Sequence, residues 1–386
     1  MNLGNPKEIF SPHPILTDKT FLLLMKYTHD ALAKAVVSIV DRWWADTDAM
    51  FPTRMPLEAP AEAALQWIDK QSRNYMFPEF KDRLGNWRPD FLVTENESAM
   101  GPGFQICEIN SRTPDNMVLF SAQKHRKIRQ LMGLSSGQPP AGNPDDWEDS
   151  FLGLFNPHLP IHILLGRDML EREELVRMLR HDGSSVSGYS LYCRNGGTFE
   201  KMHQVLATLA VNDLRVSLLV NDQRFLGIIL QELNSLVTKH GILTQDQAEA
   251  LQQCIQWIER NRRDEVGKGN YMLKTARQSR GSGHLLGADL SQQEWEKIML
   301  GMQDPSIRPG NTSYVLQPFV QQVGFDLFGD EGKKINGSHM VGCYYSINGR
   351  FLGLEIWRSS TQKVCNAYGG SGCVLLYSVA QADVDG

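Results

Sequence analysis

Two carboxylates and an amide stand at spacings suited to a hard cation: Asp90 in Arg88-Pro-Asp-Phe-Leu92, then Glu108 and Asn110 in Phe104-Gln-Ile-Cys-Glu-Ile-Asn110. Side chains of a strand alternate between its two faces, so Glu108 and Asn110 look the same way. The intervening residues 95–103 carry the Gly and Pro of a turn, and 88–93 with 104–110 read as a hairpin that sets Asp90 near Glu108. Oxygen ligands of this type suit Mg²⁺, which takes one or two protein carboxylates and completes its octahedron with water and phosphate oxygens. Taken alone, Glu-Ile-Asn reads more readily as the solvated face of an edge hairpin. A second constellation downstream shifts that balance.

Residues 271–275, Tyr-Met-Leu-Lys-Thr, read as a short strand that runs into Ala276-Arg-Gln-Ser-Arg-Gly-Ser-Gly283, after which His284-Leu-Leu-Gly287 reads as a returning strand. Gly281 and Gly283 allow positive φ and close backbone approach, so amides and the hydroxyls of Ser279 and Ser282 can surround phosphate oxygens. Lys274 supplies a point charge to the same phosphates. The loop is neither a Walker A sequence nor a dinucleotide fingerprint, and a surface hairpin is the other reading of it. Further on, Ser291-Gln-Gln-Glu294 is a capping box that starts a helix to about Gly301. Tyr314-Val-Leu-Gln-Pro-Phe-Val320 is an apolar strand interrupted by Pro318, which marks an edge, bulge or strand end whose free backbone groups can meet an adenine edge.

The order of strand lysine, glycine loop, strand, helix and Tyr314-Val-Leu-Gln-Pro-Phe-Val320 resembles the nucleotide-binding lid and hinge of ATP-grasp enzymes. Arg88-x-Asp90 with Glu108-Ile-Asn110 resembles the metal-binding end of that fold, as in D-alanyl-D-alanine ligase. There the metal motif usually follows the lysine loop, whereas here it precedes Lys274. That inversion resembles the circularly permuted ATP-grasp proteins, a group that includes glutathionylspermidine synthetase-like enzymes. Residues 221–227 and 348–360 resemble further segments of the group.

The resemblance implies an α/β (α+β) chain with a circularly permuted ATP-grasp fold, a small parallel-sheet lobe and an antiparallel nucleotide-binding lid. It implies ATP and Mg²⁺ as cofactors, with Asp90, Glu108 and Asn110 as metal ligands. Arg88 matches an arginine near the transferred phosphate or substrate carboxylate, and Arg358 a further phosphate or acyl-phosphate contact. Lys274 matches the lysine on the α- or β-phosphate, and Gly281, Ser282 and Gly283 the closing loop. Gln317 and Phe319 match the adenine hinge through backbone groups, and Lys239 is the candidate for a second nucleotide lysine, although a solvated lysine at a helix C-terminus is its plainer reading. Thr275 departs from the proline that often follows the lysine. The implied activity is an ATP-dependent carboxylate–amine ligase that forms an amide or peptide bond through an acyl phosphate, on an amino acid or small peptide. A small-molecule kinase on the same scaffold and a non-catalytic nucleotide-binding protein are the alternatives. Arg73, Tyr75, Arg112 and Arg280 are candidate carboxylate contacts, and His125 and His284 the histidines nearest the site segments.

These groups need elements to position them. Apolar residues at Leu24, Leu32, Val36, Val40 and Trp43 repeat at helical spacing, which predicts an amphipathic helix over 21–44, and a second helix is expected over 60–71. Residues 133–150 have the composition of a linker or long loop. Residues 161–165 and 216–220 are predicted strands, with helices over 171–179, 223–238 and from Thr244 towards Asn261, and this alternation predicts a small parallel sheet. The division expected is an N-terminal helical region with the metal strands (1–132), the linker (133–150), a small α/β lobe (151–270), and the lid, hinge and C-terminal strands (271–386). A net charge of −5 without a long basic block argues against nucleic acid as the partner, leaving small-molecule substrates. No apolar run approaches a membrane span and the N-terminus lacks a signal-peptide plan, so the expectation is a cytoplasmic protein with no membrane partner. Six cysteines without a CxxC pair indicate neither zinc nor a disulfide framework.

Overall fold

The computed structural model describes residues 9–11, 13–74, 79–98, 101–112, 117–131, 141–155, 158, 161–164, 186–189, 212–255, 267–277, 283–304, 306–307, 312–322, 324–328, 334–355, 357–360, 365 and 374–380. Its centre is an eight-stranded mixed sheet ordered Ile9–Phe10, Val374–Leu376, Trp357–Ser360, Lys334–Ile347, Asn86–Ser98 and Gly101–Asn110, with Phe325–Phe328 and Arg350–Leu354 also paired to Lys334–Ile347. All of these pairings are antiparallel except that of the short Ile9–Phe10 strand. A separate antiparallel sheet joins Leu285–Leu286, Tyr271–Thr275 and Tyr314–Pro318. Two small parallel pairs, Ile161–Leu164 with Val186–Tyr189 and Ile15–Thr17 with Ser378–Ala380, complete a mixed α/β architecture.

The long helix Lys19–Arg42 covers one face of the central sheet. Phe21, Met25, Leu32, Val36, Ile39 and Val40 fall on one face of the helix and are buried against Phe91, Phe104 and Ile106 of the hairpin 86–110 and Phe225, Ile229 and Leu236 of helix Gln223–Thr238. Burial of this stripe, at roughly 1.5–3 kcal/mol per large apolar side chain, holds the helix to the sheet. The expected capping box of Ser291 with Glu294 forms ahead of helix Gln292–Gly301, and Thr244 with Gln247 makes a second ahead of helix Gln245–Cys254. The latter stops well short of Asn261, because Ile255 turns extended and bridges Ile106 of the sheet.

Two expectations need correction. The apolar run Val216–Val220 is a π-helical turn rather than a strand, with Val216, Leu219 and Val220 buried on one side; five apolar residues carry no period that separates the two states. The second half of the expected linker is helix Pro144–Leu152, started by Asn143, which accepts from the Asp145 amide, with Pro144 in the first turn. Trp147 of that helix is fully buried and donates to the Leu352 carbonyl at 2.8 Å. The other half of the linker lies outside the described residues, as does the helix expected over 171–179.

The core contains one histidine that titrates against the fold. His29 is fully buried, with Nε2 3.1 Å from the Gly349 carbonyl and Nδ1 3.2 Å from the Tyr344 hydroxyl. A carbonyl only accepts, so Nε2 carries the proton and Nδ1 accepts from Tyr344. Burial holds its pKa down from 6.5 to about 4. The unfolded chain therefore binds the extra proton first: the contribution of neutral His29 is complete above 6.5 and is lost as pH falls towards 4, up to about 3 kcal/mol. His29→Gln is expected to flatten the fall of Tm between pH 6.5 and 4.5 relative to wild type. Parallel Tm–pH curves would refute it.

Candidate active site

The register of the hairpin brings the cation set together. Asp90 lies directly opposite Glu108 and Arg88 opposite Asn110, and a register shift after Asp90 follows this paired stretch. Asp90 is 2% exposed, and its carboxyl hydrogen-bonds that of Glu108. Asn110 donates from Nδ2 to Glu108 Oε1 at 3.1 Å. The two carboxyls are driven apart in titration. Burial raises Glu108, the neighbouring negative Asp90 raises it further, and Lys274 only partly offsets this. Burial would also raise Asp90, but the positive charges of Arg358 and Arg88 prevail and hold it at about 2.

Arg358 reaches Asp90 from two strands away. Its strand and that of Asp90 flank Lys334–Ile347, where Val341 pairs with Arg358 and Cys343 with Asp90. The Arg358 guanidinium donates to Asp90 Oδ2, while its Nε has no hydrogen-bond partner. Arg88 donates from Nε to Asp90 Oδ1 at 3.2 Å and lies 3.9 Å from Glu355. Glu355 is buried and accepts from Ser121 at 2.5 Å, Tyr345 at 2.8 Å and the Cys343 thiol at 2.8 Å. This shell fixes the carboxylate that faces Arg88.

The antiparallel three-stranded sheet delivers its lysine to the same place. Lys274, 5% exposed, donates to the Cys107 carbonyl at 3.1 Å, next to Glu108. Gln317, fully buried on the adjoining strand, donates to that carbonyl at 3.4 Å and leaves Oε1 without a partner. Residues 107 and 274 are thus brought into contact by folding alone. His284 lies beside them; burial and the Lys274 charge hold its pKa down at about 4, so it is neutral at physiological pH.

Other expected site residues fall elsewhere. Lys239 caps the far end of helix Gln223–Thr238 and pairs with Asp48 at 3.2 Å and Asp46 at 3.6 Å, which returns it to a solvated helix-end lysine. The Phe319 amide donates to the Asn270 carbonyl at 2.7 Å, so that donor is committed to the protein rather than to a hinge contact. Gly283 has φ 75°, as a tight loop end requires, while Ser279, Gly281, Ser282, Tyr75 and Arg280 lie outside the described residues. His125 is buried against Trp147 and Tyr377, and Arg73 pairs with Asp69 on an exposed helix face. Cys107, Cys254, Cys343 and Cys365 are free thiols, and burial pushes Cys107 up to about 12.

Two residues were missed from sequence. Gln223, 6% exposed, donates to Glu108 Oε2 at 3.2 Å, and its backbone amide donates to Ala276 O at 2.9 Å, tying the strand of Glu108 to the end of the lysine strand. Its signal was a polar residue directly behind the cap Asp222. Glu355 was visible as a lone charge inside the apolar run 351–357.

Magnesium needs only one or two carboxylates when phosphates complete its shell. Among the described residues no group of three or more His, Cys, Asp or Glu side chains is arranged to hold an ion, so the candidate set is Asp90 and Glu108 with the Asn110 amide. Two touching carboxyls, one with its pKa raised by the other, form a site that a divalent cation relieves.

Comparison with known proteins supplies an independent view. The family model of the AnkG N-terminal domain matches residues 28–219. A relative described as the ATP-grasp enzyme ankG of Aspergillus thermomutatus is 33% identical over 430 residues, spanning 94% of this chain and 87% of that protein. Among solved structures, a glutathione synthetase-like effector (GSS30) from Globodera pallida in its apo form superposes with a TM-score of 0.56 at 12% identity, over 97% of this chain and 90% of that one. The overall fold is that of the effector.

Proposed function

We propose, from the premise that this chain belongs to the family of the ATP-grasp enzyme ankG, that it is an ADP-forming carboxylate–amine ligase. Its family supports an ATP-dependent ligase in general terms. The finer reading is carried by one observation: Asp90, Glu108 and Lys274, far apart in sequence, meet around the Cys107–Glu108 backbone. The metal motif precedes the lysine strand in the chain, and this order supports a circularly permuted ATP-grasp arrangement.

In this reading Asp90, Glu108 and Asn110 hold Mg²⁺, which when bound neutralises charge on the phosphates. Transfer of a γ-phosphoryl group asks the protein for positioning and charge stabilisation more than for covalent help. Lys274 stands ready to neutralise phosphate oxygens beside the cation set, and its donation to the Cys107 carbonyl keeps the ammonium in place. Arg358 and Arg88, braced by Asp90 and Glu355, offer guanidinium groups towards the transferred phosphoryl and the acyl oxygen. Gln223 restrains the second Glu108 oxygen. The buried surroundings keep water from an acyl phosphate, which would otherwise hydrolyse. The product of the second step is an amide, formed when an amine displaces phosphate from the acyl carbon. The substrate class is an amino acid or small peptide.

Substrate labelled with ¹⁸O in its carboxylate tests the chemistry. The expected result is one labelled oxygen in each released phosphate, because the acyl oxygen leaves with phosphorus. ADP release with a stable phosphorylated product and no labelled phosphate would replace the ligase by a kinase on the same scaffold.

A further inference from the structure

The strand that carries the cation set ends in a guanidinium with no partner among the described residues. Arg112 follows Asn110 by two positions, and both of its backbone groups are fixed: its amide donates to Asn221 Oδ1 at 2.9 Å, and its carbonyl accepts from Ser217 Oγ at 3.2 Å. Ser111 doubles the clamp, donating its amide to the same Asn221 oxygen at 3.0 Å and its hydroxyl to the Val216 carbonyl at 3.3 Å. The π-helical turn 216–220 and Asn221 thus hold the base of Arg112 rigidly, while its side chain is exposed.

Charge around it does not balance. Arg224 engages Asp222 through two bonds of 2.9 and 2.8 Å, and Arg277 pairs with Glu58 and lies 3.7 Å from Asp222. Among the described residues three guanidinium groups thus stand around two carboxylates, and Arg112 is the one without an ion pair. A guanidinium with its backbone immobilised, its head exposed and no carboxylate paired to it among the described residues is a poor structural choice and a good anion receptor. The place matters as much as the charge. Arg277 follows Lys274 by three residues, Gln223 next to Asp222 touches Glu108, and Arg112 follows Asn110 by two, so all three segments adjoin the proposed cation set.

We infer that Arg112 is a specificity residue whose guanidinium receives a carboxylate that is not activated and is retained in the product. This rests on the ligase reading and narrows it: one of the two substrates enters with a free carboxylate besides any group that reacts. Nucleotide phosphates already have Lys274, Arg88 and Arg358 around the cation set, so the substrate is the better source of the anion at Arg112.

The test uses the full chain and carboxylate–amide pairs: L-aspartate with L-asparagine, L-alanine with L-alaninamide, and glutarate with glutaramate, each offered in combination with MgATP while ADP release is followed. At least one pair is expected to favour its carboxylate member by about 10- to 100-fold in kcat/KM, the worth of one charge-assisted bond. Arg112→Gln should collapse that preference through KM, Arg112→Lys should keep part of it, and the KM for MgATP should move less than twofold in either. Calorimetric binding of the same pairs with a non-hydrolysable ATP analogue reads the subsite without turnover. A preference seen there and lost in Arg112→Gln upholds the inference even if no ADP forms and the ligase reading fails. Absence of any carboxylate preference in wild type, its persistence in Arg112→Gln, or a rise confined to the KM for MgATP would each overturn it.

Discussion

Glu108→Ala is expected to lower kcat/KM by about 10³-fold or more while the protein stays folded. A carboxylate that holds a cation on transferring phosphates contributes several kcal/mol of transition-state stabilisation, and each 1.36 kcal/mol is a factor of ten. The folded protein has no comparable stake in this group. Glu108 sits against Asp90, and both burial and the Asp90 charge make its ionised form unfavourable. Removing it relieves that repulsion at the loss of the bonds from Asn110 and Gln223. The melting temperature should therefore stay within a few degrees of wild type or rise, the sign found where a site is arranged for activity at the expense of stability. Wild-type turnover in a well-folded Glu108→Ala protein would remove the cation assignment.

Lys274→Met should weaken nucleotide binding and lower kcat/KM by about 10²- to 10³-fold, the loss expected when a preorganised charge on a phosphate is deleted in a buried site. Here stability also suffers, because the ammonium is 5% exposed and offsets the Glu108 charge. The two effects separate in a double variant. Adding Glu108→Gln to Lys274→Met removes the uncompensated carboxylate, so stability should recover, whereas affinity for a fluorescent ATP analogue should not. A cycle of this type isolates the pair from the rest of the site. Unchanged nucleotide affinity in Lys274→Met would reduce the lysine to a structural cation that braces the Cys107 carbonyl.

Local pattern carried much of the fold. Helix 223–238 was read from its own spacing, both capping boxes formed as their Ser-x-x-Glu and Thr-x-x-Gln spacings require, and strand Tyr271–Thr275 ends where its composition changes. The run 216–220 was misread because so short an apolar stretch satisfies a strand and a wide helical turn equally. Asn143-Pro144 was a legible helix start hidden by the Gly- and Pro-rich residues around it.

The pairing that sets Asp90 against Glu108, with Asn110 on the same strand, was determined by the sequence itself, because strand alternation is a short-range property, whereas residues 95–103, with the composition of a turn, carry the two strands on to Ser98 and from Gly101. What reaches that hairpin from outside was decided only by tertiary structure. Arg358 crosses a whole strand to Asp90, Lys274 arrives on a different sheet, Gln223 comes from the first turn of a helix, and among the described residues Arg112 has no ion pair once Arg224 and Arg277 have taken Asp222 and Glu58. Lys239 shows the converse, a lysine plausible in sequence that the fold carries to the opposite end of its helix. The physical reason is range: dihedral preference and side-chain period act over a few residues, whereas the sum of charges in a cleft depends on which distant strands share it.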